Sequence, residues 1–150
     1  MSDDLKLKNF TIEDMELAFD IYKSGLHTVI EEAFGWNEDY QFQRFSTRYK
    51  REWFRWIEKD FERLGYVCFT SKGDELHISL LIIDQQLQSK GLGSKVMIHF
   101  QEMASHENYK AITLSSFKNN LSAVAFYIKL GYQIIHEDEY FLDLILPLQK

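Results

Sequence analysis

The stretch LLIIDQQLQSKGLGS, residues 80–94, decides how this chain is read. It completes an apolar run, residues 78–83, that only Ser79 interrupts. A run this short and this rich in Ile and Leu predicts a buried strand. A polar connection follows over residues 84–90, and then Gly91 and Gly93 stand two apart at the mouth of a helical pattern. Strand, glycine-bearing loop and helix N-terminus together form an anion-binding device. The first N–H groups of a helix have no intrahelical partner, and the dipole favours negative charge there. Glycine lets a ligand approach the backbone closely. The pattern points to a ligand carrying phosphates.

The glycines alone fit a tight turn entering a helix equally well. They are not a dinucleotide fingerprint, because the third glycine is missing and no acidic residue ends a second strand about 20 residues on. There is also no G-x-x-x-x-G-K-[ST] loop. The preceding residues shift the balance. Gln88-Ser89-Lys90-Gly91-Leu92-Gly93 resembles the acyl-CoA loop of the GNAT superfamily of N-acetyltransferases, [QR]-x-x-G-x-[GA]. A second segment, NLSAVAFYIKLGY at residues 120–132, resembles that superfamily's later signature, N-x-x-A-x-x-x-Y-x-K-x-G-[FY]. The two stand in the family's order, about thirty residues apart. The resemblance extends loosely over nearly the whole chain.

Composition agrees with that class. One hundred and fifty residues fit one domain, 1–150, and 12 Phe, 8 Tyr and 3 Trp supply bulk for its core. Seventeen Lys and Arg against 23 Asp and Glu give a net charge of −6, which argues against nucleic-acid binding and suits a cationic substrate. Cys68 is the only cysteine, so no internal disulfide can form. The opening MSDDLKLK lacks the apolar core of a signal peptide, and no apolar run reaches membrane-spanning length. A cytoplasmic protein without membrane contact is expected.

Residues 5–10 alternate apolar and polar and predict an edge strand. Thr11 with Asp14 resembles a capping box. A helix is expected to about Ser24, with Ile12, Met15, Phe19 and Tyr22 facing the core and Gly25 as its stop. A second short helix covers 26–34, ended by Gly35. Asn37 is read as an N-cap, with Phe42, Phe45 and Tyr49 on one face of the next helix. Residues 53–57 and 61–70 predict a hairpin with an irregularity at Gly65. Residues 75–83 form the central strand. Leu92, Val96, Phe100, Met103 and Ala104 mark the inner face of a helix. Residues 111–115 are a strand, Asn119 or Asn120 caps a helix that Gly131 ends, and 132–135 with 140–146 close the chain as a hairpin. The expected fold is a mixed α/β sheet of six or seven strands flanked by four or five helices.

The resemblance implies that acetyl-CoA lies between two splayed strands, here 75–83 and 111–115. Its pyrophosphate would rest on Gln88, Ser89, Lys90, Gly91, Leu92, Gly93 and Ser94, with Lys90 adding charge. Its pantetheine would pair with the backbone of Leu81, Ile82 and Ile83 like an added strand. One N–H there would hold the developing oxyanion. Tyr127 is the expected catalytic residue: the amine attacks the thioester directly, and a phenol near the sulfur can protonate the leaving thiolate. Helical spacing puts Leu121, Val124 and Ile128 on one face and Tyr127 on its flank. Asn120 bonds the cofactor or caps the helix, and Phe126 packs on CoA or on protein.

The acceptor also needs a base, because a lysine-like amine with a pKa near ~10.4 is almost wholly protonated at neutral pH. Glu75, His77 and Ser79 share one side of the central strand by parity. His77 or Glu75 could accept the proton, directly or through water, or each is an ordinary strand residue facing solvent or core, and Tyr127 is the one catalytic residue assigned. His99, Glu102 and His106 fall within about 60° of one helix face but read as a solvated surface, and no metal is expected. The resemblance implies that acceptor specificity resides largely in the N-terminal helices and later loops, here roughly residues 27–49, where Glu31, Glu32, Trp36, Glu38, Asp39 and Tyr40 could cup a cationic amine. The same residues also make an ordinary amphipathic helical pair. The reading is an acetyl-CoA-dependent N-acetyltransferase of a primary amine. The acceptor stays open among a small amine, an amino-sugar antibiotic, a polyamine and a protein N-terminus or lysine. The rival is a non-catalytic acyl-CoA-binding sensor or interaction module. A homodimer is open by analogy alone.

Overall fold

The computed structural model describes residues 5–84, 87 and 91–148. In chain order these form β1 (Leu5–Asn9), α1 (Asp14–Phe34), α2 (Glu38–Arg48), a 3₁₀ turn (Arg51–Trp53), β2 (Phe54–Lys59), β3 (Glu62–Lys72) and β4 (Glu75–Ile83). They continue with α3 (Leu92–His106), β5 (Ala111–Phe117), α4 (Leu121–Lys129), β6 (Gln133–Glu137) and β7 (Phe141–Pro147). The sheet order is β1-β2-β3-β4-β5-β7-β6. The β4–β5 ladder is parallel, whereas β1–β2, β2–β3, β5–β7 and β6–β7 are antiparallel. The expected mixed sheet is therefore present, with seven strands and four α-helices. Among the described residues, no helix is long and apolar enough to cross a membrane.

The chain divides into two compact units, Met1–Cys68 with Leu80–Lys95 and Phe69–Ser79 with Val96–Lys150. The first is built on aromatic packing. Phe10 stacks on Phe54 with centroids 5.0 Å apart and meets Trp56 at 4.5 Å, while Tyr22 meets Phe45 at 5.1 Å. The buried Tyr66 hydroxyl donates to the Ala18 carbonyl at 2.9 Å. Thr11 and Asp14 behave as half of a capping box. The Thr11 N–H donates to Asp14 Oδ2 at 2.8 Å, and the Trp56 indole N–H donates to the same oxygen at 3.1 Å. Burial disfavours the Asp14 charge, but these bonds outweigh it and hold the carboxyl below its ordinary range.

The expected stop at Gly25 does not occur, and α1 runs through it to Phe34. One glycine costs a helix only about 1 kcal/mol. A Cβ at Gly25 would lie 3.2 Å from Ile82 Cγ2, so the bare backbone seats α1 tightly against β4. Gly35, at φ +86°, ends the helix instead. Ile12 is not core: it precedes the helix and is 73% exposed, and Ala18, Phe19, Tyr22 and Ile30 are the buried side chains. Asn37 caps α2 as read, its Oδ1 accepting from the Tyr40 N–H at 2.9 Å. Phe45 alone of its expected face is fully buried, since Phe42 is exposed and Tyr49 half-buried. Trp53 falls in the 3₁₀ turn, and Phe61 falls in the β2–β3 turn rather than in β3. The register of β2 on β3 shifts between Ile57 and Glu58, with Ile57 opposite Gly65, which is the irregularity expected there.

In the second unit, Leu76, Ile78, Ile112, Leu114, Leu142 and Leu144 are buried. They alternate along β4, β5 and β7 with half-buried or exposed Glu75, His77, Thr113, Ser115 and Asp143. From α3, Val96, Met97, Phe100 and Ala104 are buried, so the apolar stripe takes in Met97 and leaves Leu92 and Met103 half-buried. The last hairpin has β7 inside and β6 at the sheet edge. Tyr132 precedes β6 and is itself buried. On α4, Leu121 is 75% exposed, Ile128 is 46% exposed, and no residue of this helix is fully buried.

Candidate active site

Two halves of the expected site are built by different local rules. In the first, Gly91 immediately precedes α3, and its carbonyl accepts the Lys95 N–H at 3.4 Å. Gly91 holds φ +76°, a region that only glycine enters freely, and a Cβ there would meet no atom within 4 Å. Leu92, Gly93 and Ser94 form the first turn of α3. The N–H groups of that turn have no intrahelical acceptor, which is the arrangement that binds phosphate. Gln88, Ser89 and Lys90 lie outside the described residues. The open backbone at Gly91 and the α3 N-terminus fit an acyl-CoA pyrophosphate.

Upstream, Leu81 is half-buried, and Ile82 and Ile83 are buried. Their strand is anchored where the Asp84 N–H donates to the Leu64 carbonyl at 2.8 Å. The parallel ladder between β4 and β5 runs only from Glu75 opposite Ala111 to Ile78 opposite Leu114. Both strands continue beyond it, β4 to Ile83 and β5 to Phe117.

The second half is Tyr127. It is half-buried on α4, its ring 5.3 Å from Phe126 and 5.8 Å from Tyr132. Among the described residues its hydroxyl has no hydrogen-bond partner. Burial pushes its pKa up to about 12, so the phenol stays neutral at physiological pH. Phe126 is half-buried and packs on Tyr127. Asn120 occupies the N-cap of α4, but its side chain makes no capping bond, and only its carbonyl accepts, from Val124 at 3.0 Å. Side-chain capping by Asn120 is therefore not what the structure contains.

A polar row crosses one face of the sheet in the second unit. His77 Nδ1 lies 2.8 Å from Thr113 Oγ1, and Ser115 Oγ donates to Asp143 Oδ1 at 2.6 Å. Thr113 and Ser115 are two apart on β5 and so share a face. Parity along β4 singled out His77 and Glu75. Thr113, Ser115 and Asp143 went unread, because cross-strand register joins them and no local pattern does. The His77 pKa is lowered, first by burial and then by the Lys72 charge, with Asp143 opposing both.

The acidic and aromatic residues of α1 and α2 are already engaged with one another. The Trp36 indole N–H donates to Glu38 Oε1 at 2.9 Å, Lys23 Nζ lies 3.0 Å from the same carboxylate, and His27 packs on Trp36 at 4.7 Å. Glu31, Glu32, Asp39 and Tyr40 are exposed. On α3, Glu102 and His106 are exposed, and among the described residues no three His, Cys, Asp or Glu side chains gather as metal ligands.

The chain is 34% identical over 64 residues to a spermine/spermidine N(1)-acetyltransferase of Bacillus subtilis (strain 168), covering 42% of each protein. It is 29% identical over 91 residues to a 5-NmdU N-acetyltransferase of Pseudomonas phage PaMx11, covering 59% of this chain and 63% of that one. The chain spans about half the length of the Bacillus subtilis curated relatives it matches. The crystal structure of the PaiA N-acetyltransferase of Thermoplasma acidophilum in complex with coenzyme A superposes with a TM-score of 0.74 at 13% identity, over 96% of this chain and 99% of that one. Residues 16–132 match the Acetyltransferase (GNAT) family, and the chain belongs to that family.

Proposed function

We propose that this protein transfers an acetyl group from acetyl-CoA to a primary amine by direct attack within a ternary complex. The family acetylates amines with acetyl-CoA. The observation that carries the reading is the glycine-opened N-terminus of α3 directly downstream of β4, whose ladder with β5 ends at Ile78. The pyrophosphate would be held by the N–H groups at Gly91, Leu92, Gly93 and Ser94, with Gln88, Ser89 and Lys90 completing the loop. The backbone of Leu81, Ile82 and Ile83 would hold the pantetheine arm, and Asn120 and Phe126 would contact the CoA moiety. When bound, acetyl-CoA supplies the activated thioester.

The chain's own task is to steer protons. A phenol at about 12 gives up its proton less readily than a thiol near ~8.5. Tyr127 therefore acts as a neutral hydrogen-bond donor to the sulfur as charge develops there, and the thiolate takes its proton up afterwards from solvent.

The test is calorimetric titration with acetyl-CoA, desulfo-CoA and ATP, followed by an amine panel scored by free thiol release. The panel includes spermidine, because one relative is a spermine/spermidine acetyltransferase. Tight acetyl-CoA binding that Gly91→Glu abolishes, with thiol release to at least one amine, is the expected result. No binding would sink the cofactor assignment. Binding with no release across the panel would favour a non-catalytic acyl-CoA module.

A further inference from the structure

The turn that ends α4 presses two tyrosines together. Gly131 lies at φ +105°, its N–H donates to the Ile128 carbonyl at 3.0 Å, and the Tyr132 N–H donates to the Tyr127 carbonyl at 3.0 Å. This pair of bonds closes a helix C-terminus and sets the residue after the glycine against the last turn of the helix. The Tyr127 and Tyr132 rings accordingly meet edge to face, with centroids 5.8 Å apart at 65°. We infer that Tyr132 is a positioning residue for Tyr127: its hydroxyl donates to the Tyr127 oxygen and strengthens the bond that Tyr127 gives to the leaving sulfur. The inference rests on the acetyl-transfer reading above.

The hydroxyl carries the argument. Tyr132 is 2% exposed, and its oxygen is buried without a hydrogen-bond partner among the described residues. The ring contact and the backbone turn need only the phenyl group, so phenylalanine would serve the fold as well. A buried polar atom without a partner destabilises a folded protein, and native proteins hold few of them. The Gln101 side chain on α3 is close enough to favour the phenolate, yet it makes no hydrogen bond with the hydroxyl. Burial raises the Tyr132 pKa well above its ordinary value, and the Tyr127 phenol adds to the rise. Tyr132 is therefore a neutral donor coupled through space to Tyr127. The Tyr127 oxygen, also without a partner among the described residues, can accept.

No proton crosses between the tyrosines, and both O–H bonds stay whole. The amine lone pair forms the C–N bond, the C–S bond breaks, and its electrons leave on sulfur. The acetylated nitrogen loses one proton to solvent, and the thiolate takes one up. As Tyr127 donates to the sulfur its own oxygen becomes a better acceptor, so a donor behind it reinforces the bond in front. Hydrogen bonds of this kind tighten when the reacting complex forms.

The experiment is a double-mutant cycle. Thiol release with the best amine of the panel is measured for wild type, Tyr132→Phe, Tyr127→Phe and the double variant, with thermal unfolding of each. Tyr132→Phe should lower kcat about 10-fold, leave the KM for acetyl-CoA unchanged, and unfold at the wild-type temperature or above. In the Tyr127→Phe background the same change should have no further effect on kcat. An unchanged kcat in Tyr132→Phe, an equal loss in both backgrounds, or a lowered unfolding temperature would each overturn the assignment. Unchanged turnover in Tyr127→Phe would overturn it too, while leaving acetyl transfer itself standing. No release by wild type with any amine would instead overturn the acetyl-transfer reading, and this inference with it.

Discussion

A Cβ placed on Gly65 would lie 2.0 Å from the carbonyl oxygen of Ile82, and 2.9 Å from both the carbonyl carbon of Ile82 and the Cα of Ile83. All three atoms are backbone, so no side chain can rotate away. Gly65 also holds φ +153° beside the register shift of β2 on β3. The irregularity thus brings the backbone of β3 directly against that of β4.

Gly65→Ala should therefore be among the most damaging substitutions in the first unit. A clash with fixed backbone at a strained φ is expected to cost about 3 kcal/mol or more. Thermal unfolding of the variant measures it. Retention of wild-type stability would mean that β4 can move away, and acetyl-CoA affinity should then fall.

Phe61 presents the opposite case. With Asp60 at φ +54° and Phe61 at φ +67°, the β2–β3 turn asks two ordinary residues for a conformation that glycine and asparagine adopt more readily. Phe61 is 97% exposed and contributes almost no burial in return. Phe61→Gly should stabilise the hairpin by about 1 kcal/mol. A lowered denaturation midpoint would show that the ring is held by something outside this chain's described contacts.

Tyr127→Phe tests the donor. Turnover should fall about 100-fold with acetyl-CoA affinity retained. The pH dependence follows from the sign of the shift. A phenol raised to about 12 keeps its proton below that pH, so Tyr127 adds no falling limb between pH 7 and 10. The ratio of wild-type to variant turnover should stay level across that range. A ratio that drops near pH 9 would mean that Tyr127 ionises there.

Cys68 is buried, and burial pushes its thiol up to about 12. In the folded protein it should react with an aromatic disulfide reagent at least about 100-fold more slowly than in denaturant, the thiolate being the reactive form. Thiol-release assays then read CoA alone. Rapid labelling without denaturant would show that β3 opens.

Much of the architecture could be read from local pattern. The apolar run at 78–83 is β4, Asn37 caps α2 through its own side chain, and Gly131 at φ +105° ends α4. Caps, turns and strand periodicity act over a few residues, so the chain states them directly. Gly25 misled for a physical reason: whether a glycine breaks a helix or lets it pack closely depends on what stands opposite, here Ile82.

The candidate site divides along the same line. The amino-acid sequence by itself determined the family, the glycines that open α3 and the tyrosine on α4. These depend on residue type at fixed short spacing, where backbone freedom and a placed hydroxyl are local properties. Tertiary structure alone decided the polar row. Thr113 reaches His77 across 36 positions of chain and Asp143 reaches Ser115 across 28, because strand register is set by the packing of the buried faces.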